Sequence, residues 1–301
     1  MSQTIEAVLG VARAPFLLLP VTLVAAGAAA GVYDGGFSWL NTVLALVGLI
    51  ALHAAVNTLN EVGDMRTGID MHTERTPFSG GSGTLPAGRM TTGQAQAFGL
   101  AMSGVGLLIG LYFLARFGWV LVPILVLGAI SVLAYTDVLA RIGLGEIFAG
   151  LGLGLLPVMG TAIVQGGRLG PAGVAAGIPA FLMTFNLLLL NEFPDEAADS
   201  AGGRRNLVLV LGRPGAALVY ALAAIATPLS ILVAVALGAL PPVAIAAVVP
   251  SILLVTPLRW ALSHTAEPVP LPALGVNVTW NLATNSLLAL ALFLAAGLGW
   301  R

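Results

Sequence analysis

The chain has no cysteine, no lysine and very little charge of either sign. The missing cysteine excludes disulfides and thiolate metal sites. The missing lysine makes every basic side chain one of 12 arginines. Any phosphate contact from a basic side chain is therefore made by a guanidinium, which can engage two oxygens at once. Charged residues are only 8% of the 301, against about 25% in a soluble domain. Hydrophobic residues reach 58% and the mean hydropathy is +1.00. These values exclude an ordinary soluble domain and imply a polytopic helical membrane protein. The first ten residues carry no positive charge ahead of their apolar stretch, and no clear small-residue cleavage site follows. A removed signal peptide is not expected.

Nine apolar runs are long enough to span a bilayer: Pro15–Val32, Trp39–Leu59, Ala95–Ala115, Trp119–Tyr135, Glu146–Val164, Val174–Leu190, Ala216–Leu237, Val243–Leu262 and Asn281–Gly299. Internal prolines do not veto these helices, because neighbouring helices absorb the kinks. With the connection after the second run on the cytoplasmic side, Arg13, Arg66, Arg75, Arg89, Arg141, Arg204, Arg205, Arg213 and Arg259 all fall there. Arg116, Arg168 and Arg301 fall opposite, nine against three. The positive-inside bias then puts the N-terminus inside and the C-terminus outside.

What charge there is gathers in two places. Asn60-Glu61-Val62-Gly63-Asp64 and Asn191-Glu192-Phe193-Pro194-Asp195 each end a long apolar run, and Asp70 and Asp199 follow them. The two stretches hold 8 of the 13 acidic residues. They lie in connections of about 35 and 25 residues, a length that is functional or disordered in a compact bundle, and are read as ordered caps over a cavity. Asn60 and Asp64 are four apart, as are Asp195 and Asp199, so each pair shares a face at a helix end. Two such pairs facing each other make an oxygen-only site suited to Mg²⁺ bridging to phosphate. Metal would reverse the local sign for an anion, with Arg66, Arg75, Arg204 and Arg205 clamping the remaining oxygens. The Gly- and Ser-rich segment 77–83 adds candidate backbone N–H donors. A neutralised diphosphate leaves an allylic carbon readily, and an apolar membrane chamber keeps water from the cation.

These residues resemble the UbiA superfamily of intramembrane prenyltransferases. The first motif matches at Asn60, Asp64, Gly68 and Asp70. The second matches at Asn191, Asp195 and Asp199, with Gly203, Arg204, Arg205 and Asn206 behind it. Arg75-Thr76-Pro77, the stretch 81–88 and Gly143-Leu144-Gly145-Glu146 resemble the branch acting on 1,4-dihydroxy-2-naphthoate in menaquinone synthesis. The chain departs from that branch at Glu61-Val62, and from the family at Gly68 and in having no lysine. The resemblance implies one all-α domain over residues 1–301: nine transmembrane helices around a central cavity capped by two cytoplasmic loops, in the cytoplasmic membrane. It implies transfer of a prenyl group from an allylic prenyl diphosphate to a hydrophobic aromatic or quinone-precursor acceptor. Asp64, Asp195 and Asp199 would be catalytic, and with Asn60 would hold two Mg²⁺ ions. Asn57, Arg66, Asp70, Arg75, Asn191, Arg204 and Arg205 would bind diphosphate. Tyr135 and Arg141 would contact acceptor or diphosphate. The lipid bilayer is the expected surroundings; nucleic acid and an obligate protein partner are not expected.

Two other activities fit the composition. A terpene cyclase on the same scaffold would need no aromatic acceptor. A transporter would carry ionisable residues near the midplane of its helices, whereas here they crowd one membrane face. Glu61 and Glu192 lie out of register with the Asp faces and are expected behind the site or at the surface. Glu146 is read equally as a helix N-terminal charge. His53 is read as a core histidine, and His72 is open either way. Asn277, Asn281 and Asn285 share a helix face that should turn into the bundle. Trp260, Trp280 and Trp300 are expected as interfacial anchors.

Overall fold

In lipid, a continuous run of about twenty leucine, alanine and valine residues satisfies its backbone within itself by coiling into a helix. The computed structural model describes residues 3–300 and contains helices and turns, with no strand among the described residues. Arg301, counted above with the opposite-side arginines, lies outside the described residues. In chain order the helices are α1 (Gln3–Val11), α2 (Leu18–Tyr33), α3 (Trp39–Thr67), α4 (Ile69–His72), α5 (Thr92–Phe117) and α6 (Val122–Leu133). The second half continues with α7 (Gly145–Gly150), α8 (Leu156–Gly166), α9 (Pro171–Ala201), α10 (Leu207–Ala236), α11 (Val255–Ser263) and α12 (Leu271–Leu298).

The nine apolar runs emerge as eight helical stretches, among the described residues, long and apolar enough to cross a membrane. One of them, Thr92–Leu133, is 42 residues long and holds both the third and fourth runs. It folds back on itself. Gly118 leaves the helix at φ 77°, and a Cβ at Gly110 would sit 2.7 Å from the Leu125 side chain. Fifteen residues of straight helix would separate those positions by roughly 22 Å.

The two charged connections also come out differently. α3 runs through the first cluster to Thr67, and α9 runs through the second to Ala201 with Pro194 inside it. The second cap therefore shrinks to residues 202–206, and only the first, residues 68–91, remains an extended loop. Both helices keep their carboxylates buried through the clusters, at Glu61, Asp64, Glu192 and Asp199, and end in exposed turns beyond them.

The polar face of α12 turns inward as its spacing requires. Asn277 donates to the Asn186 carbonyl at 3.0 Å and accepts from the Tyr220 hydroxyl at 3.1 Å. Asn285 donates to Asn281 at 2.8 Å. Trp260 and Trp280 depart from expectation: both are buried. Their indoles donate to the Glu267 carbonyl at 3.1 Å and to the Ser251 hydroxyl at 3.3 Å. They pack in the core between α9, α10 and α12, with Phe193 edge-on to Trp260. The exposed indoles are those of Trp39, Trp119 and Trp300.

Candidate active site

The last turns of α3 and α9 meet the short connection into α10, and their carboxylates converge on one guanidinium. Asn60 donates to Asp64 at 2.9 Å along the α3 face. Arg204 makes an ion pair with Asp64, lies 3.4 Å from Asp199 and donates to Asn60 at 2.8 Å. Asn206 accepts from the Leu209 N–H to cap α10 and donates to Asp199 at 2.9 Å. The cap of one helix thus orients a carboxylate on another. Burial works against the charge on Arg204, but the facing carboxylates of Asp64 and Asp199 outweigh it and raise its pKa.

The first loop closes over this cluster. Gly80 and Gly81 take positive φ, and the Gly80 N–H reaches the Asp195 carboxylate at 3.2 Å. A Cβ on Gly81 would fall 2.8 Å from an Asp70 oxygen, so only glycine passes there. Burial, reinforced by the negative charges of Asp64 and Glu61, pushes the Asp70 carboxyl up to about 7. Glu61 is 1% exposed and accepts both the Ser82 N–H at 2.7 Å and its hydroxyl at 2.6 Å. It anchors the loop and is not a surface group. The N–H groups of Gly80 and Ser82, expected to face an anion, are engaged by protein carboxylates instead. Glu61→Gln exchanges a charged acceptor for a neutral one, a loss of about 1 kcal/mol. Backbone amides of residues 79–84 are expected to exchange hydrogen several-fold faster; unchanged exchange there would remove Glu61 as the anchor.

A cavity of about 180 Å³ adjoins the cluster, lined by Asn60 and Asn191 together with Phe16, Phe78 and Phe148. Arg13, His53 and Tyr135 also line it. Arg13 is the only non-glycine residue with positive φ among the described residues, at 52°. It follows α1 at a position where glycine is favoured. Its guanidinium donates to the Phe78 carbonyl at 3.1 Å and lies 4.8 Å from the centre of the Phe16 ring.

A family comparison settles what scaffold this is. The model of the UbiA prenyltransferase family matches residues 18–273. The chain belongs to the UbiA prenyltransferase family. Two curated relatives are 1,4-dihydroxy-2-naphthoate octaprenyltransferases. The one from Bacillus subtilis is 26% identical over 55% of this chain, and the match spans about half of that enzyme, 53%. The one from Escherichia coli is 29% identical over 68% of each chain. Among solved structures, a UbiA homolog from Archaeoglobus fulgidus bound to GPP and Mg²⁺ superposes with a TM-score of 0.63 at 17% identity, over 95% of this chain and 99% of that one.

Within this UbiA fold the residues singled out from the sequence divide. Asn60, Asp64, Asp199 and Arg204 touch one another, with Asp195 bound to the loop above them. Asn191 lines the cavity. Asn57 also lines it, but its amide donates to the Ala12 carbonyl at 3.0 Å, next to Arg13. Arg75 folds into its own loop and donates to the Asp70 carbonyl at 2.6 Å. Arg66 turns away to Gln96 at 2.7 Å on α5. Arg205 and Arg141 are exposed; the Arg205 N–H bonds the Ala140 carbonyl at 2.9 Å, and Arg141 approaches Gly203. Glu146 accepts the Leu207 N–H at 2.5 Å at the start of α10, so it clamps the second connection. Arg13 was legible in the sequence only as a cytoplasmic-side arginine, because a single arginine before an apolar run carries no signal of the backbone it will adopt.

Proposed function

We propose that this chain transfers a prenyl group from an allylic polyprenyl diphosphate to an aromatic quinone-precursor acceptor inside the membrane, with Mg²⁺ as cofactor and the site facing the cytoplasm. The observation that carries the reading is that Asn60, Asp64 and Asp199 meet around Arg204, with Asp195 held by the loop beside them, next to an apolar cavity that Asn60 and Asn191 line. Family membership and the naphthoate prenyltransferase relatives support it.

The donor set fits a hard cation. Asp70 and Asp195 each keep a buried carboxylate oxygen with no hydrogen-bond partner, Asp199 keeps one that faces only the Arg204 guanidinium at 3.4 Å, and every group offered is oxygen. As arranged, no three His, Asp or Glu side chains among the described residues are gathered closely enough to hold an ion; Arg204 stands between Asp64 and Asp199. Asp64, Asp195 and Asp199, with Asn60, are the residues that would hold Mg²⁺. When bound it supplies the positive charge that lets diphosphate leave. Arg204 holds the diphosphate oxygens through two N–H groups. The prenyl C1–O bond breaks with its electron pair going to diphosphate, C1 bonds to an aromatic carbon, and that carbon loses its proton. The phenylalanine-lined cavity keeps water from the cation.

Arg13 and His53 mark the acceptor side of the cavity. Arg13 has no carboxylate within ion-pair distance among the described residues, and the Nδ1 of His53 is buried without a partner. A guanidinium in such surroundings attracts an anionic aromatic. An outlying backbone conformation at that residue agrees with a functional use. Arg13→Gly relieves the backbone while removing the guanidinium, so the melting temperature should change little. Acceptor KM is expected to rise about 10- to 100-fold, the equivalent of one charge-assisted hydrogen bond, with diphosphate release from the donor nearly unchanged. An unaltered acceptor KM would take Arg13 out of the acceptor site.

The reading as a whole is tested by incubating the purified protein with prenyl diphosphates, with and without 1,4-dihydroxy-2-naphthoate and with Mg²⁺ or EDTA. A prenylated aromatic that forms only with Mg²⁺ is the expected product. A hydrocarbon or alcohol formed equally well without acceptor would identify a cyclase instead.

A further inference from the structure

A third connection adjoins the second acidic cluster: residues 264–270, between α11 and α12. It is bound to α9 through one side chain of α10, Arg213. The Arg213 Nε donates to the Thr265 carbonyl at 2.7 Å and Nη2 to the Glu267 carbonyl at 2.9 Å. Nη1 donates to the Glu196 carboxylate at 3.0 Å and to the Phe193 carbonyl at 3.4 Å. The guanidinium also lies 5.4 Å from the centre of the Phe193 ring. That ring stands edge-on to Trp260, whose indole shares the Glu267 carbonyl. All three guanidinium nitrogens are thus engaged, and three of their four partners are backbone carbonyls.

The backbone is built for this reach. α10 breaks at Gly212, with φ 70° and ψ 162°, a conformation that glycine adopts without strain. Arg213 follows the break, and Pro214 stands where the helix resumes, a position that suits proline. α9 contains Pro194. With no N–H of its own, Pro194 gives the Leu190 carbonyl no helical donor. The turns that carry Asp195 and Asp199 therefore begin at a weak point in the helix. Arg213 grips that point on both sides, at Phe193 and at Glu196. Successive helix residues are turned by about 100° around the axis, so a hold on Phe193 and Glu196 fixes the direction of Asp195 between them. The Asp195 carboxylate itself is held by the Gly80 N–H on one oxygen, and its other oxygen is buried without a partner.

We propose that Arg213 is a positioning residue for the metal-holding turns of α9. It braces the helix across Pro194 so that Asp195 and Asp199 are presented together towards the Asn60/Asp64 pair, and it makes the 264–270 connection part of the scaffold of the site. This deepens the Mg²⁺-dependent prenyltransferase reading and rests on it. The brace predicts an effect opposite in sign to that of charge alone. Arg213 is a cation beside a cation site, so deleting its charge should by Coulomb's law tighten divalent binding. Deleting a brace should weaken it, because carboxylates free to turn apart must be gathered again around the ion.

The test compares wild type with Arg213→Gln and Arg213→Lys, as full-length protein in nanodiscs of zwitterionic lipid. Free Mn²⁺ is followed by its EPR signal, which reads binding without turnover. Arg213→Gln is expected to weaken Mn²⁺ binding about tenfold, the equivalent of one hydrogen bond of the brace. The Mg²⁺ concentration for half-maximal diphosphate release should rise by the same factor. Turnover at saturating Mg²⁺ and acceptor KM should stay within about twofold, since an effect confined to metal binding leaves both unchanged. Arg213→Lys keeps the charge but offers one ammonium in place of a planar fork, so it too should weaken Mn²⁺ binding. Without metal, amide exchange at residues 195–201 should rise in both variants. Unchanged or tighter Mn²⁺ binding by folded Arg213→Gln overturns the brace. If that variant does not fold, wild-type affinity in Arg213→Lys overturns it. If wild type itself binds no Mn²⁺, the metal reading of the site fails separately. The brace is then decided by amide exchange at 195–201, and unchanged exchange in the variants overturns it.

Discussion

Asp64→Asn is expected to lower diphosphate release by about three orders of magnitude, the equivalent of roughly 4 kcal/mol of transition-state stabilisation. The amide keeps the size of the carboxylate and can still pair with Asn60, so the α3 face is preserved. What it removes is one negative charge at the point where Arg204 and Asp199 converge. That charge is needed to draw a divalent cation, and a neutral oxygen in a buried setting is a much poorer ligand for a hard ion. Asp195→Asn should behave alike, although its carboxylate is engaged by the Gly80 N–H at 3.2 Å and not by Arg204. Release of diphosphate from a radiolabelled allylic donor measures the effect, and melting in detergent checks that each variant is folded. Wild-type release by a folded Asp64→Asn protein would dissociate this cluster from the chemistry.

Arg204→Gln should have two separable effects. In the absence of divalent cation, removing the guanidinium leaves Asp64 and Asp199 facing each other, buried and without a counter-charge. Breaking a buried ion pair from one side costs about 3–5 kcal/mol, so the variant should melt well below wild type in EDTA. Mg²⁺ should restore much more of that loss in the variant than it adds to wild type, since cation and guanidinium neutralise the same carboxylates. Turnover should remain down by about a hundredfold even when Mg²⁺ has restored stability, because a bidentate donor to the departing oxygens is gone. Arg205→Gln is the internal contrast: its side chain is exposed and only its backbone is engaged, so less than a threefold change is expected. Comparable losses in the two variants would mean that overall positive charge, and not the bridging position of Arg204, is what matters.

The site also explains why its two acidic clusters differ in detail. On α3 the glutamate, Glu61, turns to the loop and fastens Ser82. On α9 the corresponding Glu192 stays buried beside Glu146, which fastens the start of α10. Both connections over the site are thus tied down by a buried glutamate, one from α3 and one from α7. The helix period turns each glutamate away from the aspartates, and packing decides that this direction is a neighbouring segment and not solvent.

The sequence alone determined the membrane-spanning, all-helical class, because continuous apolar runs of about twenty residues satisfy their backbone in lipid as helices, whereas barrel strands are shorter and alternate in polarity. It also determined that Asn60 and Asp64 share a face, as do Asp195 and Asp199, and that the asparagines of α12 turn inward, since these follow from a 3.6-residue period and from the cost of a polar group in hydrocarbon. Tertiary structure alone decided that both clusters lie within helices, and that Trp260 and Trp280 are core residues. It alone chose Arg204 over Arg66 and Arg205 as the bridging guanidinium, and it alone placed Arg13 in the cavity wall. Periodicity is a local property of a few consecutive residues. The partner of Arg204 lies 140 positions away at Asp64, and which of several arginines reaches it depends on how helices distant in the chain pack.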